Sequence, residues 1–129
     1  MQRTPVGIGL VGYGGIGRVH ALCYRMLPLV YPTLQPPKLV GVVTGLMSVE
    51  RARRELDDVV VMTELDELLA RDDVTVIDCC TPTADHLRVA AAALEAGKAL
   101  FCEKPLAATT AEARQIAALA RSRGLAGGV

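Results

Sequence analysis

Val6-Gly7-Ile8-Gly9-Leu10-Val11-Gly12-Tyr13-Gly14-Gly15-Ile16-Gly17 is the stretch on which the fold turns. Its apolar run up to Val11 reads as a strand and the segment from Gly15 as a helix. Gly12-x-Gly14-x-x-Gly17 therefore falls at a strand-to-helix turn. Each glycine then has its own task. Gly12 permits a tight turn, Gly14 lets a pyrophosphate approach backbone that carries no Cβ, and Gly17 lets the helix pack closely on the strand. Free N–H groups at the helix start, with the helix dipole behind them, favour an anion there. Tyr13, Gly15 and Ile16 complete the expected phosphate cradle.

Outward from this turn, strand and helix patterns alternate. The helix is predicted over Gly15 to Leu27, with Val19, Leu22, Cys23 and Met26 as one apolar stripe, and Pro28, Pro32, Pro36 and Pro37 ending it in a loop. A second strand spans Leu39 to Val43, and Ser48 is a candidate cap for a short helix. A strand follows over Val59 to Met62, a helix begins at Thr63-Glu64-Leu65-Asp66, and Val74 to Cys80 reads as an apolar strand throughout. A helix from Thr83 to Ala96, with Leu87, Ala91 and Leu94 inward, has Gly97 as its C′ residue. Ala99 to Cys102 is the fifth strand, and Thr109-Thr110-Ala111-Glu112 is a capping box for a last helix ending at Gly124. Leu125 to Val129 looks like a strand just starting. The sum is an α/β doubly wound parallel sheet, strand order 3-2-1-4-5-6.

A chain of 129 residues with 51% apolar content fits one domain, expected over 1–129. Acids and bases balance at 14 each and aromatics make up 3%, which argues against nucleic acid as a partner. The charges are distributed unevenly. No acid precedes Glu50, so the first 49 residues, with Arg3, Arg18, Arg25 and Lys38, carry +4 and the rest −4. A positive N-terminal part suits an anionic ligand. The first apolar run is too short and too glycine-broken for a signal peptide or membrane span. Cys23, Cys79, Cys80 and Cys102 show no CxxC spacing, so reduced core thiols in a cytoplasmic protein, without a metal site, are expected.

Dinucleotide sites of this kind usually place an Asp or Glu about 20 residues on, at the end of the second strand, to bind the adenosine ribose. Here that strand ends in Thr44-Gly45, and Ser48, Arg51, Arg53 and Arg54 follow. Small polar residues beside a guanidinium accept a 2′-phosphate that an acid would repel, so NADP is favoured slightly over NAD. The fourth strand ends in Thr81-Pro82 with His86 after it, and the fifth in Glu103-Lys104-Pro105. Both lie at the carboxyl edge where such folds bind ligands. A lysine beside a cationic nicotinamide can exchange a proton with a substrate hydroxyl.

Taken together, the glycine motif followed by Arg18-Val19-His20-Ala21, Thr81-Pro82 with His86, Glu95-Ala96-Gly97-Lys98, and Glu103-Lys104-Pro105 resemble the N-terminal domain of the Gfo/Idh/MocA oxidoreductases over essentially the whole chain. The resemblance implies a Rossmann domain followed by an α/β domain that supplies substrate contacts and oligomer contacts, here absent. It implies a hydride transfer between NAD(P) and a secondary alcohol or ketone of a sugar, inositol or related polyol. Lys104 takes the catalytic role, Glu103 and Pro105 position it, Thr81, Pro82 and His86 line the cofactor cleft, and His20 is structural. Thr44 departs from the acid common in NAD-using members. The alternative is a stand-alone NAD(P)-binding regulatory module without turnover, against which the unfinished sixth strand argues.

Overall fold

The computed structural model describes residues 5–129; Arg3, one of the early cations, lies outside them. Six strands form one parallel sheet in the order β3-β2-β1-β4-β5-β6. They are β1 (Gly7–Val11), β2 (Lys38–Val43), β3 (Val60–Met62), β4 (Val76–Cys79), β5 (Ala99–Cys102) and β6 (Gly127–Gly128). The crossovers carry α1 (Gly15–Val30), α2 (Leu46–Glu55), α3 (Leu65–Leu69), α4 (His86–Glu95) and α5 (Thr110–Arg123). A single turn of 3₁₀ helix, Thr83–Asp85, leads into α4. Chain direction across the sheet reverses between β1 and β4, which opens a crevice at their carboxyl ends.

The central strands are buried on both faces, and their alternating side chains feed two cores. Ile8, Leu10, Leu39 and Val42 pack with Ala21 of α1 and Ala52 of α2, whereas Val11, Ile77, Leu100 and Cys102 pack with Val89, Ala93 and Leu94 of α4 and Ile116 of α5. Leu68 of α3 is fully buried over Gly9 and Gly41, where a β-carbon would come within 2.9 Å of Leu68 or closer. The expected capping box holds: Thr109 Oγ1 accepts from Glu112 N, and the Glu112 carboxylate accepts from Thr109 N. Gly97 and Gly124 both take the positive φ expected after a helix end.

Several local expectations are corrected. Helix α1 does not stop at Pro28 but runs through it to Val30, closing on Tyr31 N to Leu27 O. Pro28 removes one backbone bond in an exposed last turn, a loss the helix tolerates near its end. The stripe Val19, Leu22, Cys23 and Met26 faces solvent, with Val19 50% exposed; the sheet side of α1 is Gly17, Ala21 and the half-buried His20 and Tyr24. Small residues bring this helix close to the sheet, and polar side chains fill the remainder. Ser48 lies inside α2, which starts after Gly45 with no side-chain cap. Strand β4 is not apolar throughout, because Asp78 stands in it with no exposed surface. The inward face of α4 is His86, Val89, Ala90, Ala93 and Leu94.

Of the four free cysteines, Cys23 is exposed and Cys79, Cys80 and Cys102 are buried. A thiol-exchange reagent is therefore expected to titrate one thiol rapidly in the native protein and all four after denaturation. Two or more fast thiols in the native state would contradict this packing.

Candidate functional site

The crevice at the carboxyl ends of β1, β2 and β4 is a cleft of about 650 Å³. It is lined by Gly12, Tyr13, Gly14, Gly15 and Ile16 on one side, Thr44 and Gly45 at the end of β2, and Thr81 and Pro82 beyond β4. Gly12 has φ +97°, and a β-carbon there would meet the Cys80 carbonyl oxygen at 2.7 Å. A β-carbon on Gly17 would collide with the Gly12 carbonyl. These two positions hold the helix start against the turn. Gly14 differs: its φ of −82° suits any residue, and a β-carbon there meets no protein atom within 4 Å. What a side chain at Gly14 would fill is the cleft itself. No side chain caps α1 and no acid stands in its first turn, so its leading N–H groups are available to an anion. The residues present fit a bound pyrophosphate.

The loop is braced from below. Buried Tyr13 donates from its hydroxyl to Glu55 Oε2 at 2.9 Å, and Arg18 grips the same carboxylate with Nε at 3.0 Å and Nη2 at 2.9 Å. The Arg18 bond, then that of Tyr13, lowers the Glu55 carboxyl below its ordinary range. Burial, then the Glu55 bond, raises the Tyr13 phenol. Arg51 donates to the Tyr13 carbonyl at 3.3 Å and to Ser48 Oγ at 3.1 Å, and its Nε is buried without a partner. Of the neighbouring arginines, Arg53 pairs with Glu50 at 3.4 Å and Arg54 is exposed.

At the β4–β5 edge, His86 is 1% exposed, so it does not line the cleft as the sequence suggests. Its ring nitrogens each lie 2.9 Å from a carbonyl oxygen, Pro105 on one side and Thr81 on the other. It clamps the two loops that carry Thr81-Pro82 and Glu103-Lys104-Pro105. Lys104 is exposed, and the peptide to Pro105 is cis. The sulfurs of Cys79 and Cys102 lie beneath, within 4.8 Å of a His86 nitrogen and of each other. Hydrogen bonding from Cys102, then from Thr81, lowers the Cys79 thiol, while Cys102 is pushed up.

Sequence reasoning missed the group around His20. Its Nδ1 lies 2.8 Å from Asp78 Oδ2 and its Nε2 3.2 Å from Glu103 Oε1. Tyr24 donates to Asp78 Oδ2 at 2.7 Å, and burial, then the Asp78 charge, raises its phenol. The sequence reads His20 only as structural; here α1 sits close enough for the ring to span from β4 to the end of β5. The one available signal was Asp78, a charge inside an otherwise apolar strand. Asp85 and Arg88 also line the cleft and were not anticipated.

Residues 6–129 match the model of the oxidoreductase family Gfo/Idh/MocA, described by its NAD-binding Rossmann fold. The chain belongs to that family. Among Gfo/Idh/MocA relatives it is 33% identical over 112 residues to levoglucosan dehydrogenase of Pseudarthrobacter phenanthrenivorans, covering 84% of this chain and 28% of that protein. It is 39% identical over 117 residues to inositol 2-dehydrogenase of Agrobacterium fabrum, covering 86% and 32% respectively. An NAD-binding oxidoreductase structure from Klebsiella pneumoniae superposes with a TM-score of 0.90 at 34% identity, covering 97% of this chain and 34% of that one. The chain spans about a third of the length of these Gfo/Idh/MocA relatives and is an NAD-binding oxidoreductase domain similar to sugar and inositol dehydrogenases. No helix among the described residues is long and apolar enough to cross a membrane.

A Gly14→Val variant is expected to fold, since its side chain meets only the cleft, and to lose dinucleotide affinity by about 100-fold or more as the charge-assisted contacts at the loop are blocked. Titration of the folded variant with NAD and NADP checks this; unchanged binding would move the phosphate site elsewhere.

Proposed function

We propose that this chain is the cofactor half of an enzyme that moves a hydride between NAD(P) and a secondary alcohol or its ketone, on a sugar, inositol or related polyol. A second α/β domain completes the substrate site and carries the homo-oligomer contacts. The observation that carries the reading is the His86 clamp, which ties the Lys104-Pro105 loop to the Thr81-Pro82 wall of the dinucleotide cleft. Relatives that are dehydrogenases by name favour turnover over a binding module without it. The free cysteines accord with a reducing, cytoplasmic setting.

When bound, the nicotinamide supplies the hydride acceptor or donor. The chain's own residues do the rest. The Gly12–Gly17 loop and the start of α1 bind the pyrophosphate, and Thr81 and Pro82 border the nicotinamide end. Lys104, exposed at that edge, takes the proton from the substrate hydroxyl on oxidation and returns it on reduction. In the full-length enzyme, Lys104→Ala is expected to lower kcat by about 10²–10⁴-fold while leaving the cofactor Kd unchanged. Steady-state rates with levoglucosan or inositol, alongside cofactor titration, check it; an unimpaired variant would return Lys104 to the solvated surface.

The cofactor is NADP in preference to NAD. Thr44 stands where a ribose-binding acid would repel a 2′-phosphate, and Arg51 is folded against the glycine loop with an unpartnered Nε. A charge-assisted contact contributes roughly 1.5–3 kcal/mol, so NADP should bind about 10- to 100-fold more tightly than NAD. Arg51→Ala should remove the preference. Equal affinities in the unaltered protein would overturn it.

A further inference from the structure

We propose that His20 is a positioning residue for Lys104, acting through Glu103, an inference that rests on the reading of Lys104 as the proton-transfer group. Asp78 is buried without exposed surface, a costly place for a carboxylate unless its oxygens are fully engaged. They are: Tyr24 Oη lies at 2.7 Å and His20 Nδ1 at 2.8 Å from Oδ2, and Cys80 Sγ at 3.5 Å from Oδ1. This anchors one side of the imidazole. The other side faces Glu103 Oε1 at 3.2 Å, and Glu103 Oε2 accepts from the backbone N–H of Lys104 at 3.2 Å. Phe101 of β5 stacks on the ring with centroids 5.8 Å apart and planes 25° from parallel.

The geometry fixes the ring completely. Turning it over would set carbon atoms against both carboxylates, and the Phe101 face blocks a tilt. Glu103 is therefore held with one oxygen on His20 and the other on the Lys104 N–H. That arrangement keeps its carboxylate off the Lys104 ammonium, which remains free to reach over the cleft. Removing the ring nitrogens releases Glu103, and with it the brace on the Lys104 backbone N–H that keeps the amine at the nicotinamide edge. A purely structural His20 would serve α1 packing alone and leave Lys104 where it is.

The test is affinity labelling with periodate-oxidised NADP⁺. Its 2′-phosphorylated adenosine ribose has no vicinal diol, so the dialdehyde forms only on the nicotinamide ribose. A nearby lysine amine condenses with an aldehyde to an imine, losing water, and borohydride reduces the C=N bond to a stable amine. The chain has three lysines, Lys38, Lys98 and Lys104, so peptide masses identify the labelled one. Lys104 of the unaltered protein is expected to label. His20→Phe, which keeps an aromatic ring against Phe101 but removes both nitrogens, should slow that labelling about tenfold with the NADP Kd unchanged, as misplacement of a reacting group does. Glu103→Ala should slow it equally, and the double variant no further. Labelling of His20→Phe at the unaltered rate, or slowing that multiplies in the double variant, overturns the inference. If His20→Phe does not fold, Glu103→Ala alone decides: an unaltered rate overturns it. An unaltered protein that leaves Lys104 unlabelled overturns the placement of Lys104 itself, a different failure.

Discussion

Helix α1 approaches the end of β1 so closely that a β-carbon at position 17 would collide with the carbonyl of Gly12, and one at position 12 with the carbonyl of Cys80. The rest of the molecule follows from that approach. It aims the uncapped N–H groups of the helix into the cleft, where they are available to an anion. It also lowers the first turns of α1 onto the sheet, so that Ala21 is buried against β1 and His20 reaches Asp78 in β4. Any larger residue at 17 would lift the helix, and both the anion site and the His20 contacts would separate together. The phosphate loop and the lysine edge are thus two consequences of one backbone contact.

The fold was legible in the sequence to the degree that local chemistry decided it. Strand β5 lies over the predicted residues, the Thr109–Glu112 capping box forms, and the strand order agrees, because alternating patterns with right-handed crossovers leave few topologies open. Where tertiary contact decided, the sequence misled. The apolar stripe of α1 has helical period yet faces solvent, because the sheet side is built from Gly17, Ala21 and polar side chains that a count of apolar residues does not register. In α4 the inward face is turned from the one predicted, since His86 joins the buried side. Pro28 reads as a stop from local sterics, but in an exposed last turn it removes only one backbone bond, and three further residues, just under one turn, stay helical through Val30.

The candidate site shows the same division. The glycines, Thr81-Pro82 and Glu103-Lys104-Pro105 were readable because each sits at a strand end, and in this topology all strand ends of interest fall on one edge. His20 was not, because its role depends on two partners 58 and 83 positions away, Asp78 and Glu103. No spacing rule connects them. His86 was placed at the right edge but on the wrong side of its wall, behind the cleft rather than lining it.

Two fully buried polar side chains, Asp78 and His86, raise the question of why an apolar core tolerates them. An unpaired polar group in such a place costs about 1–3 kcal/mol, so each persists only where its partners are in position. Those partners are informative. Asp78 holds Tyr24 and His20, both on α1, and His86 holds the carbonyls of Thr81 and Pro105, in the loops after β4 and β5. Apolar residues of similar volume at 78 and 86 would keep the cores filled and leave the helix and both loops untied. The hydrogen-bonding capacity of the interior is thus directed to the carboxyl edge of the sheet. By contrast, the buried polar atom left without a partner, Arg51 Nε, belongs to a residue folded against the glycine loop. Among the described residues, the side chains that tie α1 and the two loops find their partners within the protein, whereas the buried Arg51 Nε behind the glycine loop finds none.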